Sequence, residues 1–493
     1  VISNVWVVSI GMGILKINLS SSHPGRQPRA GRWRTCLVCW APSMRLVAFA
    51  SLSCLGLLTG CGDSPVGFRQ VYQEVSLSLT HNEAENKDDQ LPVDVSRGFG
   101  PALSQAVLRH QGYFAASAFE QETINLIDVA QSARRLQIAG NSTVGGVREN
   151  GGTQSDETTA GAAVGVTASQ LVFDGGEADA NVAIATARAY AARQQRIVVS
   201  NDIALQAAQA WVDVWRGQAR IDLLDERTKS MDLLIAQMER AASTGMVDRA
   251  ALDGARRQIV GIKLEKTRLL AELSDAELRF ERYFGGVAGK LGLPEAIVDQ
   301  NEALVIAKDW QNAPLLKRSA VSIFIAKQQV ALAQAAFGPR ARLQAGVTSP
   351  MDNDESTDAS VGLFIEYTFG DGGRRDADLA AAKSRLEAAE AQLRDEQKML
   401  KVEIAAAENQ LNSLKLSMPL LKRQIDLSSS EAKTARSQLA TGQSNLRQII
   451  EAEVSSYRAA DSKISMRAEQ IALQLVIASR AGTLAERIGL SDI

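Results

Sequence analysis

Residues 171–176 read "LVFDGG" and residues 367–373 read "YTFGDGG". Each phrase closes an apolar stretch and opens an Ala-rich polar one. Used as a ruler, the phrase exposes a repeat. Gly175-Gly176 and Gly372-Gly373 lie 197 residues apart. Thr244-Gly245, in "AASTGMVDRAALDGA", and Thr441-Gly442, in "SQLATGQSNLRQIIEAE", are separated by the same 197 residues. Upstream, "RRLQIAG" (134–140) echoes "RARLQAG" (340–346) at an offset of 206 to 207, so the insertions fall between these landmarks. The chain reads as two copies, 98–285 and 312–488. They are joined by 286–311, a segment richer in Gly and Pro than its flanks, and followed by a tail at 489–493.

Each copy opens with a helical stretch, "GPALSQAVLRHQGYFAASAFEQETINLIDVAQ" or "APLLKRSAVSIFIAKQQVALAQAA". Short alternating runs follow. Val361, Leu363, Ile365, Tyr367 and Phe369 fall on one face of an extended chain, and Gly362, Phe364, Glu366 and Thr368 on the other. Polar loops, "ENGGTQSDE" (149–157) and "SPMDNDESTD" (349–358), precede these runs. "LQIAGNSTV" and "LQAGVTS" supply the opposite arms, which makes two hairpins, or four strands of about ten residues. At 164–173 the alternation does not decide which face is outward.

After the double glycine come two stretches of equal length, 176–243 and 373–440. Their only Pro is Pro419, their only Gly are Gly176, Gly217 and Gly373, and helix formers dominate. At ~1.5 Å per residue each would span roughly 100 Å, the length of a coiled coil or tunnel wall. The return helices carry heptad-like seams, Leu252, Ile259, Ile262, Leu269, Leu273, Ala276 and Phe280 in the first copy. The second has Leu446, Ile450, Val454, Tyr457, Ile464, Ile471 and Leu475. Trp211 and Trp215, four apart, read as packing residues. Pro419 removes a backbone donor and is expected to kink its helix near Lys415.

Composition narrows function. Apolar residues are 45% and aromatics only 5%, which suits close helix packing. Lys+Arg 54 against Asp+Glu 56 leaves no basic excess for nucleic acid. His23, His81 and His110 are scattered, and no phosphate loop, metal spacing or nucleophile constellation appears, so the chain reads as a non-enzyme with no cofactor. Cys36, Cys39, Cys54 and Cys61 all precede residue 62. From Met44, the expected start, "MRLVAFASLSCLGLLTGCGDS" has a short basic region, an apolar run and then Leu58-Thr59-Gly60-Cys61. That resembles a lipoprotein signal, with 1–60 as leader, Cys61 lipidated and 61–97 a polar tether. The apolar run, about 15 residues, is short of the roughly 20 a spanning helix needs. Gly62, not Asp, follows the cysteine, which points to outer-membrane sorting.

Helix, strand hairpin, Phe with glycines, very long helix, Gly-centred turn and return helix, all doubled over ~98–488, resemble the TolC-type outer-membrane channel proteins. The resemblance implies a mainly α fold with a small β part. Long helical hairpins would form a periplasmic tunnel, and four strands per chain a twelve-stranded barrel in a homotrimer. Phe173, Gly175, Gly176, Phe369, Gly372 and Gly373 would form the strand-to-helix hinge, with each Phe ending its strand. Thr244, Gly245, Met246 and Val247, with Thr441, Gly442, Gln443 and Ser444, would be the tips that meet a periplasmic adaptor. Family members narrow the mouth with acidic residues six and nine positions after the second tip glycine; here these are Gln448 and Glu451. The implied function is a passive exit duct in outer-membrane lipid, served by an ABC or proton-driven inner-membrane transporter and carrying small molecules or proteins. The alternative, a periplasmic adaptor lipoprotein, would have one hairpin, and the duplication and alternating strands speak against it.

Overall fold

The computed structural model describes residues 71, 73–79, 92–149, 157–243, 249–350, 357–440 and 446–490. The chain divides into two compact units, Val1–Asp88 and Asp89–Ile493. In the first, residues 73–79 are helical, within the stretch read as tether. Cys61 lies outside the described residues, as do both tips, Thr244, Gly245, Met246, Val247 and Thr441, Gly442, Gln443, Ser444.

The second unit runs through helices α1 (Phe99–Arg109) and α2 (Gln111–Ser132), strands β1 (Gln137–Glu149) and β2 (Glu157–Phe173), and helices α3 (Glu177–Ser243) and α4 (Arg249–Phe284). It then continues through α5 (Gln300–Lys308), α6 (Pro314–Ala335), β3 (Arg340–Pro350), β4 (Asp358–Glu366), α7 (Arg374–Ala440), α8 (Leu446–Ala481) and α9 (Leu484–Arg487). The long helices α3 and α7 have 67 residues each, and the return helices α4 and α8 have 36 each. The repeat offset is kept at every bound: Arg374 answers Glu177, Ala440 answers Ser243, Leu446 answers Arg249 and Ala481 answers Phe284.

Three features differ from the sequence expectation. The opening helix of the first copy breaks at His110, which adopts an extended conformation and caps α2 through Nδ1, accepting from Gly112 N at 3.0 Å. The segment 286–311 contains α5, started by a capping box between Asp299 and Glu302, and it buries Ala303, Ile306 and Ala307 in the core. Strand β4 stops at Glu366, so Tyr367 and Phe369 lie beyond it. Glu366 pairs with Arg340, the first residue of β3; before it comes Pro339, which has no N–H to extend the ladder. Helix α7 contains Pro419 within its length, and the structure continues as helix on both sides of it.

The helices lie in a row in which α3 packs on both α4 and α8, and α8 also packs on α7. Helices α4 and α7 form the margins of the row. The predicted seams are the packed ones: Leu252, Leu269, Ala276, Phe280, Ile450, Ile471 and Leu475 are buried. Gly217 permits the close approach of α3 and α4, since a Cβ there would lie 3.1 Å from Leu273. Trp211 is a packing residue, its ring 5.4 Å from Phe99, 5.8 Å from Phe284 and 5.9 Å from Phe280.

His110 couples this core to pH. Its ring stacks on Tyr283 at 5.7 Å. Burial, then the nearby Arg282 charge, lowers its pKa from 6.5, and its cap requires a neutral Nδ1. The native state therefore disfavours the proton more than the unfolded chain does. The contribution to stability is complete above about 6.5 and is lost as pH falls toward and through the lowered native value. Thermal unfolding followed across this range should show a decline in wild type that is flattened in His110→Asn, which keeps a capping acceptor. His110→Ala should cost about 1 kcal/mol at neutral pH.

Candidate functional site

The strands form one antiparallel sheet in the order β1-β2-β3-β4, so β2·β3 joins the two hairpins and, among the described residues, β1 and β4 each leave one edge open. The register fixes the faces, because side chains alternate along each strand. Ile138, Ala168, Ala345 and Val361 share one rung, and Gly140, Val166, Val347 and Ala359 the rung two residues away. The intervening rung, Ala139, Thr167, Gly346 and Ser360, belongs to the other face. Asn141, Gly165 and Thr348 form another rung there, crowded enough that a Cβ on Gly165 would lie 2.8 Å from Asn141 Oδ1.

The first face carries no charged residue over 138–144, 162–170, 341–349 and 359–365. Its large side chains face outward: Ile138 is 70% exposed and Val144 and Val361 79%. The register thereby assigns Val164 and Val166 to the apolar face, which the first copy's sequence left open. An apolar face of this extent, bare in a single chain, marks a surface made for lipid or another protein. Strand β3 has 11 residues. At ~3.3 Å per residue and a tilt near 40°, it would rise about 28 Å, close to the apolar band of a membrane barrel. Among the described residues no helix is long and apolar enough to cross a membrane, and no group of His, Cys, Asp and Glu could hold a metal ion.

Both glycine pairs sit between strand and long helix with positive φ: Gly175 +69°, Gly176 +93°, Gly372 +69° and Gly373 +87°. Only glycine adopts this backbone without strain. Phe173 is the last residue of β2, whereas Phe369 stands past the end of β4, 93% exposed and edge-on to Tyr367 at 4.9 Å. The sequence reading passed over the aspartate in each phrase. Asp174 accepts from Gly176 N at 3.0 Å and Ala178 N at 2.7 Å. Asp371 does the same for Gly373 N at 3.1 Å and Arg375 N at 3.0 Å. The two side chains cap the first turns of α3 and α7 from three residues ahead of each helix, legible as Asp just ahead of a polar helical run. Burial raises the Asp371 pKa, but the hydrogen bonds from Arg375 and Gly373 outweigh it and hold the carboxyl below its usual value.

Near the start of α8, Gln448 and Glu451 are both exposed. Glu451 is not a lone carboxylate: Arg447 Nε donates to its Oε1 at 2.8 Å. Two residues on, Glu453 is buried and paired with Arg227 of α3 and, at 2.6 Å, with Arg436 of α7. Further up, Arg220 of α3 holds Asp461 through two bonds of 2.7 and 3.1 Å. Burial, then the charges of Asp461 and Glu265, push the adjacent Tyr457 up to about 12 against the opposing Arg220. Arg227 and Arg220 precede their acids by 226 and 241 residues, a separation that local pattern does not bridge.

The fold is thus a long helical row joined to a four-stranded sheet, one face of which is apolar and uncharged. The "Outer membrane efflux protein" family matches residues 305–481. Outer membrane efflux protein BepC of Brucella suis biovar 1 (strain 1330) is 24% identical over 310 residues, 59% of this chain and 65% of that relative. The crystal structure of VceC from Vibrio cholerae matches with a TM-score of 0.69 at 15% identity, covering 77% of this chain and 95% of that one. CusC matches with a TM-score of 0.69 at 18% identity, covering 77% and 90%. The family match runs from within α5 to the end of α8, in the second copy, and at 15–18% identity the two solved structures show a shared fold.

The two junctions differ in how tightly they are packed. A Cβ on Gly175 would lie 3.1 Å from the Ala335 carbonyl, whereas one on Gly373 meets nothing within 4 Å. Gly373→Ala should therefore cost about 1–2 kcal/mol for the left-handed backbone alone, and Gly175→Ala more. Chemical denaturation of the two variants in detergent checks the order.

Proposed function

We propose that three copies of this chain close their sheets into a twelve-stranded barrel in the outer membrane and form a passive exit duct. The observation that carries this reading is the uncharged, exposed sheet face bounded by two open edges. In lipid an open edge leaves backbone groups unpaired, so four strands are not viable alone, and closure by further copies removes the edges. The polar face, with Asn141, Thr167, Gln344 and Ser360, then lines the water-filled interior.

The long helices continue the duct into the periplasm. The tips around Gly245 and Gly442 dock a periplasmic adaptor, and an inner-membrane transporter, ABC or proton-driven, supplies energy and cargo. This is the arrangement of a tripartite efflux pump or a type I secretion system. Cys61 carries the lipid anchor. Glu451 lines the periplasmic mouth with Gln448, its charge offset in part by Arg447.

In planar bilayers the purified protein should behave as a detergent-dependent trimer that conducts ions. A water-soluble monomer without conductance would rule the duct out. Reversal potentials should move toward lower cation preference in Glu451→Gln and toward higher preference in Arg447→Ala, which unmasks the carboxylate. If neither variant changes selectivity, these residues do not line the constriction.

A further inference from the structure

The polar face of the sheet changes character at its helix-side end. The rung of Gln137, Ser169, Gln344 and Gly362, and the two rungs beyond it, carry small or polar side chains. The next rung toward the helices sets Leu171, Arg342 and Phe364 side by side on β2, β3 and β4. Each stands three residues from the helix-side end of its strand. We propose that this rung is a binding site for organic anions with an apolar body, aryl sulfonates or lipophilic carboxylates, on the inner wall of the duct. The inference rests on the duct proposed above and names a class of cargo held there.

The cation is free. Arg342 is exposed and forms no ion pair among the described residues. The charges around it are engaged or set apart. Arg340 holds Glu177 at 2.5 Å, and Glu366 is the cross-strand partner of Arg340, not of Arg342. Asp358 lies on the same face but six residues from Phe364, roughly 20 Å along β4. The repeat aligns Arg342 with Arg135, which faces Asp128 at 3.6 Å. An unpaired guanidinium therefore belongs to the second copy alone.

Its neighbours on the rung are apolar. Phe364 is 58% exposed, although it shares its face with Ser360 and Gly362. Its ring lies back over Gly362, where a Cβ would be 3.6 Å from Cε2. Leu171 is half-buried on the other side of Arg342. Directly opposed residues on one sheet face have Cβ atoms about 4.5–5.5 Å apart, so one small ligand spans the three. The guanidinium fork donates two parallel N–H groups to a sulfonate or carboxylate. Phe364 and Leu171 take the apolar body out of water, which an inorganic anion cannot exploit. A cation of the same shape meets Arg342 as a like charge. Three chains would place three such sites at one height, each weak enough to release what it holds.

Planar-bilayer recordings of the full chain with naphthalene-2-sulfonate as probe test this. The probe should reduce the open-channel current saturably. Sodium sulfate, which has no apolar body, and naphthyltrimethylammonium, which reverses the charge, should not do so at the same concentration. Arg342→Gln should raise the half-blocking concentration roughly fivefold, what an exposed ion pair supplies at most. Arg342→Lys should keep most of the block, and Phe364→Ala should weaken it while Arg342 remains. Equal block of wild type, Arg342→Gln and Phe364→Ala overturns the site, as does equal block by the naphthyl cation. A wild type that conducts no ions overturns the duct reading itself, and the site with it.

Discussion

A backbone amide or carbonyl held in hydrocarbon without a partner costs roughly 2–7 kcal/mol, and an open sheet edge exposes a row of them. That cost governs this chain. It carries an uncharged apolar sheet face, which favours lipid, and two open edges, which lipid does not tolerate. In the proposed barrel the sheet is a component of something larger, and the helices joined to it share the same incompleteness. In the proposed assembly, row and sheet both end in surfaces covered by another copy, and each such contact corresponds, through the repeat, to one already made inside the chain.

The two helical hairpins match in length to the residue but not in charge. In the first, Glu239 of α3 meets Arg256 of α4 at 2.9 Å. The repeat places Arg436 and Glu453 at the corresponding positions of the second, paired at 2.6 Å with the signs exchanged. Exchange lets the second copy recruit Arg227 from the first, so that one buried carboxylate holds α3, α7 and α8 together. Removing such a carboxylate would leave two arginines facing each other in a partly buried site, which costs far more than an exposed pair contributes. Gln206–Tyr283 and Glu403–Arg480 show the same drift: equivalent positions, a neutral hydrogen bond in one copy and an ion pair in the other.

Much of the architecture was legible because glycine and proline punctuate it. The double glycines mark the starts of α3 and α7, and only Gly217 and Pro419 interrupt the helix formers that follow, so helix bounds followed from composition. Pro419 removes one donor from a helix held on both sides by many others, and α7 continues through it. Strand ends were harder to read, since alternation at 361–369 continues past the last residue that has a ladder partner. The capping role of Asp174 and Asp371 was readable in principle but masked by the more obvious Phe and Gly beside them. Arg447 was within reach, four residues before Glu451. The buried carboxylate Glu453 was not, because its partners come from other helices and only the fold brings them together.

In the proposed assembly the seam inside a chain and the seam between copies have different chemistry. Between α3 and α8 the chain crosses its own hairpins with ion pairs at Arg220, Arg227 and Arg480. The equivalent positions between copies are Ser417 with Leu264, Gln424 with Arg256, and Met399 with Tyr283, none of them an ion pair. Ion pairs are directional and hold one geometry, whereas apolar contacts are non-directional and tolerate small sliding. A tube built of alternating stiff and compliant seams would yield at the compliant ones first. Any widening of the helical duct would then fall between copies, while each chain's paired hairpins move as one body held by Glu453 and Asp461.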